Sequence, residues 1–257
     1  MSDTSENLRQ RVKDMLPEPF EWCSIPAGEV SIAYGEWKNY TYIGSETRTY
    51  QVDAFWIAKY PLTVAQFEPF VAIDGYTDRS YWTDDGWEWI QKTGFKSPRY
   101  WNSEKWHIPD HPVVHITPCE AHAYLRWLSQ QVELEINLPT EQQWQRAAQG
   151  NDGRDYPWGN EHHLEFANTY ESKIARTTPV TKYPDNISPS GVMDMSGNVW
   201  EMTSSPWQAD IPTETDYYNA VVRGGSFNSY KQLAKCTARR FGRGWDYSFG
   251  FRIAVNG

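Results

Sequence analysis

Long apolar runs are missing from this chain. No stretch of about 18 apolar residues occurs, so a membrane-spanning helix is not expected. Cysteine is scarce: Cys23, Cys119 and Cys236 are scattered, with no C-x-x-C pair. That excludes a disulfide framework and a thiolate zinc site, and predicts reduced, mostly buried thiols in a cytoplasmic protein. Basic charge is short, with Lys+Arg 24 against Asp+Glu 33 and a net charge of −9, which argues against a whole-surface nucleic-acid binder. The N-terminus MSDTSENLRQRVKDML has no apolar h-region, so no secretory signal is expected. Linkers, low-complexity tracts and internal repeats are also missing. What is abundant is aromatic: 14 tryptophans in 257 residues, at a mean hydropathy of −0.73. Such a chain buries an aromatic core and is not disordered.

Residues 1–18 read as a short helical leader ending near Pro17, either packed on the main body or protruding from it. Residues 19–257 read as one continuous domain. Three helices are predicted by capping boxes, in which a hydroxyl precedes Gln or Glu by three residues: Thr63–Gln66, Thr117–Glu120 and Thr140–Gln143. Pro118 adds the favoured N1 proline to the second. Ala121, Tyr124, Leu125 and Leu128 then recur at helical spacing. QVDAFWIAKY reads as strand, and the second half is punctuated by Gly, Pro, Asn and Asp turns. The fold class is α+β, loop-rich, with little regular secondary structure.

Several segments in order carry a resemblance: Ile25-Pro26-Ala27-Gly28, QVDAFWIAKYPLTVAQFEPFV, Gly75-Tyr76-Thr77, HPVVHITPCEAHAYLRWL, NLPTEQQWQRAAQG, Tyr156-Pro157-Trp158-Gly159, Thr178-Pro179-Val180, MDMSGNVWEMT, VVRGGSF and Gly250-Phe251-Arg252. Over about residues 20–255 the chain resembles the formylglycine-generating-enzyme/sulfatase-modifying-factor family, a variant of the C-type lectin fold. Enzymes of that family oxidise a substrate cysteine with a pair of thiols that can bind copper, five residues apart after the Gly-Gly-Ser turn. The matching positions here hold Ser229 and Ala234, and Cys236 is a lone thiol that reads as structural. The resemblance therefore implies a branch without the catalytic pair. The sulfoxide-synthase branch implies a three-histidine iron site supplied mostly by a separate helical domain, which is not recognised here. His107, His111 and His115 are spaced by four, but Pro109 and Pro112 break any helix, so these histidines are expected in extended chain, with His115 packed or hydrogen-bonded rather than ligating metal. His162-His163 reads as an exposed loop pair.

The same resemblance implies a structural calcium ion held by Asp194, Gly197, Val199 and Glu201, two carboxylates and two main-chain carbonyls. A second site would use Asn168 and the carbonyl of Thr169.

Residues 223–252 hold seven Lys or Arg against one acid, Asp246, with seven aromatic residues among them. Arg223 and Arg252 are expected to pair with the acidic body. Tyr, Trp, Arg, Ser and Asn together have the composition of binding surfaces. The family's variable proteins of diversity-generating retroelements display a diversified face on this segment. That likeness implies a ligand-binding surface at 226–248 for a protein or other ligand, built from Asn228, Ser229, Tyr230, Gln232, Phe241, Arg243, Trp245, Asp246, Tyr247 and Ser248. A non-catalytic binding protein is thus expected. The alternatives are a metal-dependent oxidoreductase of the formylglycine-generating or sulfoxide-synthase type, or a cysteine-less paralogue regulating one. The tryptophans divide accordingly. Trp56, Trp127, Trp144, Trp158 and Trp200 read as core anchors; Trp82, Trp87, Trp89, Trp101 and Trp106 read as a lid or wall beside the binding face.

Overall fold

The chain opens on helix α1 (Ser5–Met15), which lies on the body of the protein and sinks Val12 into it. The computed structural model describes residues 5–38, 41–207, 220–242 and 246–257. Leu16 and Phe20 continue into the same core. Strand β1 (Trp22–Ile25) follows, then a long hairpin of β2 (Gly28–Lys38) and β3 (Thr41–Val52), then β4 (Phe55–Ala58).

Helix α2 (Val64–Ala72) starts at Thr63, whose hydroxyl accepts from Gln66 N while the Gln66 side chain accepts from Thr63 N. Gln66 also donates to the carbonyls of Pro17 and Pro19, tying the leader to this helix. Pro69 lies inside α2 without ending it at once. Helix α3 (Asp84–Thr93) is capped by Thr83 and stopped by Gly94 in the left-handed region. Helices α4 (Pro118–Val132) and α5 (Glu141–Gln149) begin with the predicted capping boxes at Thr117 and Thr140. The carboxylate of Glu120, in the first of these, also accepts from Tyr76 Oη at 2.7 Å. Strands β5 (Trp200–Pro206), β6 (Ala220–Arg223), β7 (Arg239–Gly242), β8 (Phe249–Gly250) and β9 (Ala254–Asn256) complete the described elements.

Two antiparallel ladders close one sheet in the order β1-β4-β9, so the chain's beginning and end flank one strand. A second sheet runs β7-β6-β5-β8, with β5 and β8 parallel. One core cluster joins α1, α2, α4 and the second sheet: Tyr124 stacks on Phe67 at 5.0 Å and meets Phe251. The other lies between α5 and the strands of the first sheet and hairpin, around Trp144. Trp127, Trp144 and Trp200 are the core anchors expected, each stabilising the fold by roughly 1.5–3 kcal/mol through burial. Trp56 is half-buried and packs on the edge of the first core under the Arg9 guanidinium, while Trp158 is not a core anchor but is half-buried and stacked on Tyr156.

Three buried arginines are held by two buried carboxylates. Arg252 forks onto Glu201, and Glu141 accepts from both Arg223 and Arg239. The expected pairing of Arg223 and Arg252 with the acidic body is present. The three cysteines are buried and unbonded; burial raises the thiol pKa of Cys119 and of Cys236 to about 12, which keeps both protonated and unreactive.

Candidate functional site

The segment after α5 and before β5 is a loop whose backbone geometry requires particular residues. Asp194, Gly197 and Asn198 all have positive φ. Asn198 is its hub. Its Nδ2 donates to Asp194 Oδ2 at 2.7 Å and to Thr178 O at 3.1 Å, and its Oδ1 accepts from Thr178 N and Asn168 Nδ2. The loop then grips the C-terminal segment. Gly197 N donates to Gly224 O at 2.8 Å, and Phe227 N donates to Asn198 O at 3.0 Å. The Gly-Gly-Ser turn, with Gly224 and Gly225 at positive φ, is thereby held in place.

From this turn the candidate face is built. Ser226 Oγ meets Ser229 Oγ and donates to Asn228 Oδ1. Asn228 Nδ2 donates to Tyr247 Oη at 2.6 Å, joining the two ends of the tail. Phe227 packs at 5.8 Å from Trp106 and 5.9 Å from Tyr247. Trp106 and Tyr247, with Tyr100, surround His115, whose ring lies 4.9 Å from those of Tyr100 and Trp106 and 6.2 Å from that of Tyr247. His115 holds positive φ just before the Thr117 cap and is only 5% exposed. Neither of its ring nitrogens has a hydrogen-bond partner among the described residues. Burial, helped by the positive charges of Arg99 and Lys105 and opposed by Asp246, lowers its pKa to about 4. At neutral pH it is therefore an uncharged imidazole, one N–H donor and one acceptor.

The predicted binding residues separate in space. Asn228, Asp246 and Tyr247 belong to this face; Asp246 also accepts from Ser248 and faces Arg240 at 3.4 Å. Tyr230 and Gln232 are exposed, with Tyr230 on Tyr170 at 4.9 Å. Ser229 and Ser248 are not display residues. Both are buried, Ser229 bonded to Ser226 and Ser248 to Asp246, because these hydroxyls close the turns that carry their neighbours. Phe241 pairs with Val221 between β7 and β6, and its ring meets Trp207. Arg243 and Trp245 lie outside the described residues.

The tryptophan insert is corrected in the same way. Trp82 is fully buried with Nε1 on Gly75 O, and Trp87, Trp89 and Trp101 pack on the main core. Of the five, Trp106 is the one that walls the tail. The spacing of His107, His111 and His115 brings no metal site together: His107 packs on Trp101, His111 bonds Thr177 Oγ1, and His115 stands in the ring cluster. Among the described residues no three His, Cys, Asp or Glu side chains are grouped to hold a metal. His115 was legible only as packed. Its missing partners emerge solely in three dimensions.

The expected calcium ligands fit in part. Asp194 is buried with Oδ1 unpartnered, and desolvation raises its pKa well above the usual carboxylate range, so a cation there would relieve a real cost. Glu201 does not fit. Both its oxygens are taken at 2.6 Å by Arg252, and Trp144 Nε1 donates as well. The Gly197 carbonyl accepts from Val199 N. At the second expected site Asn168 Oδ1 and Thr169 O both accept from Ser172.

A loop-rich α+β domain whose first and last strands flank one strand, with the face carried by the last thirty residues, defines the C-type-lectin-like class of formylglycine-generating type. Residues 9–257 match the sulfatase-modifying factor enzyme 1-like domain, and the chain belongs to this family. It is 30% identical over 227 residues to the hercynine oxygenase of Mycobacterium tuberculosis, covering 79% of this chain and 51% of that enzyme. It is 26% identical over 270 residues to the formylglycine-generating enzyme of Bos taurus, covering 86% and 70%. The chain thus spans about half the length of the hercynine oxygenases it matches. In fold it is similar to Treponema denticola variable protein 1, with a TM-score of 0.67 at 18% identity over 93% of this chain and 95% of that one. No helix among the described residues is long and apolar enough to cross a membrane.

Proposed function

We propose that this chain is a non-catalytic ligand-binding member of the family, recognising its ligand where the C-terminal segment meets the loop around Tyr100 and Trp106. One observation carries the reading. Buried polar groups in folded proteins are nearly always satisfied, yet His115 keeps both nitrogens unpartnered among three aromatic rings, two of them exposed at the surface. The positions matching the family's thiol pair support it: Ser229 is bonded within a turn and Ala234 is fully buried. The unbonded thiols support a reducing, cytoplasmic setting.

The hercynine oxygenase likeness favours a second reading, in which the same face forms part of an oxidoreductase site. Oxygen consumption separates the two. The purified chain, supplied with Fe(II) or Cu(I) and a thiol substrate, is expected to show no turnover above the metal alone. Turnover with a redox metal at unit stoichiometry overturns the binding reading.

A calcium ion at the Asp194 loop is a separate proposal, supported by the unpartnered Oδ1. Chelator is expected to lower the melting temperature of the wild type and to leave Asp194→Asn unchanged. An unchanged wild-type melting curve removes the ion.

A further inference from the structure

The ring cluster also constrains what it takes, an inference that rests on the binding reading above. Its walls are flat: Trp106 and Phe227 are tilted 37° apart, and Tyr100 and Tyr247 are 54% and 45% exposed. Flat aromatic walls favour a flat ligand, through offset or edge contacts. At their centre the neutral His115 carries one N–H donor and one acceptor nitrogen, both buried, so a ligand reaches them by displacing one of the exposed rings, Tyr100 or Tyr247. Tyr247 Oη already accepts from Asn228, which leaves its own proton to donate.

Charge decides between ligand classes. Aromatic cages commonly take quaternary ammonium groups. Here two rings of the cage already carry cations: the Lys105 ammonium is 4.5 Å from the Trp106 centroid and the Arg99 guanidinium 5.2 Å from that of Tyr100. Both act on His115 as positive charges. The opposing carboxylate, Asp246, is already bonded to Ser248 and faces Arg240. The balance favours an anion.

We infer that the ligand recognised at His115 is a small planar carboxylate, its ring among Tyr100, Trp106 and Tyr247 and its carboxylate accepting from His115 and Tyr247 beside Arg99 and Lys105. No motif in the sequence announces this, because its parts, Arg99, Tyr100, Lys105, Trp106, His115 and Tyr247, are far apart in the chain.

The test is an NMR titration of the full chain with its histidine rings labelled with nitrogen-15 and its tyrosine rings with carbon-13, the His115 signals being assigned by their loss in His115→Phe and the tyrosine signals reporting binding in that variant. Three probes are compared: benzoate, cyclohexanecarboxylate and tetramethylammonium. Benzoate is expected to shift the His115 ring signals saturably. Cyclohexanecarboxylate, of the same charge but not flat, is expected to bind about tenfold more weakly. His115→Phe keeps the ring and removes the hydrogen bonds, and is expected to cost benzoate about tenfold or more. Lys105→Glu, an exposed change, is expected to weaken benzoate and spare the fold. Equal binding of the two carboxylates overturns the planar class. Saturable shifts with tetramethylammonium but not benzoate overturn the anion class while the binding face stands. No shift of His115 with any probe overturns the His115 proposal; if the signals of Tyr247 and Tyr230 are also unmoved by all three, the binding face falls with it. Should His115→Phe fail to fold, His115→Asn serves for assignment and the wild-type comparison of probes still decides.

Discussion

Arg252→Ala is expected to lower stability by about 3–5 kcal/mol, the cost of breaking one side of a buried ion pair. For a domain of this size that is a fall in melting temperature of roughly 10 °C or more. The guanidinium is fully buried and each of its nitrogens is engaged. Nε and one terminal nitrogen hold Glu201 at 2.6 Å; that second nitrogen also donates to Met193 O, and the third donates to the carbonyls of Ala58 and Lys59. The residue therefore ties β4, the Asp194 loop and β5 to the last strand. Its loss leaves the Glu201 carboxylate buried with Trp144 Nε1 as its remaining side-chain donor, and takes a donor from the carbonyls of Met193, Ala58 and Lys59, the last of which still accepts from Met193 N. Arg252→Lys keeps the charge but not the fork, and is expected to fall between. The pair Arg252→Met with Glu201→Leu removes both charges and is expected to be less damaging than either single change. Urea unfolding of the four proteins checks this. A melting temperature for Arg252→Ala within about 2 °C of wild type would show that water or a neighbouring group replaces the guanidinium.

Why some of this was readable from sequence and some not follows from the range of each interaction. Thr63, Thr117 and Thr140 cap their helices through residues three positions on, so spacing alone reveals them. Thr83 and Gly94 carry similar local signals for α3, hidden among Trp82, Trp87 and Trp89, which drew the reading toward a surface wall. The β2–β3 hairpin has a local signal too: Val30 and Ile32 are buried while Glu29 and Ser31 are not, a strand alternation. The site is different. Glu201 looks like a calcium ligand beside Asp194, and only its contact with Arg252, 51 residues on, shows where its charge goes. Ser229 and Ser248 have the composition of a display surface, but composition carries no direction, and both point into turns. His115 is the extreme case. Its signal is a want of partners, which no spacing encodes.

The same long-range logic predicts that Gly197→Ala is among the most damaging single changes in the chain, and that Gly94→Ala is mild. Both glycines hold positive φ, +81° and +67°, so both pay the left-handed penalty of about 1–2 kcal/mol for a side chain. They differ in surroundings. A Cβ on Gly94 meets nothing within 4 Å, whereas one on Gly197 stands 2.5 Å from Asn168 O and 2.9 Å from its carbonyl carbon. The obstacle is backbone, not a flexible side chain, so the loop or the Asn168 segment has to move. That segment takes Asn198 N at 2.8 Å, and the loop hands the position on through Gly197 N to Gly224 and through Asn198 O to Phe227. Gly197→Ala is thus expected to lower stability by several times the Gly94→Ala loss, and whatever remains folded is expected to bind benzoate more weakly, because Phe227 is carried away from Trp106 and Tyr247. Melting curves for the two variants, with benzoate titrations at a temperature where both are folded, measure the two effects separately. Equal losses for both glycines would mean that the Asp194 loop yields cheaply and does not hold the C-terminal segment in place.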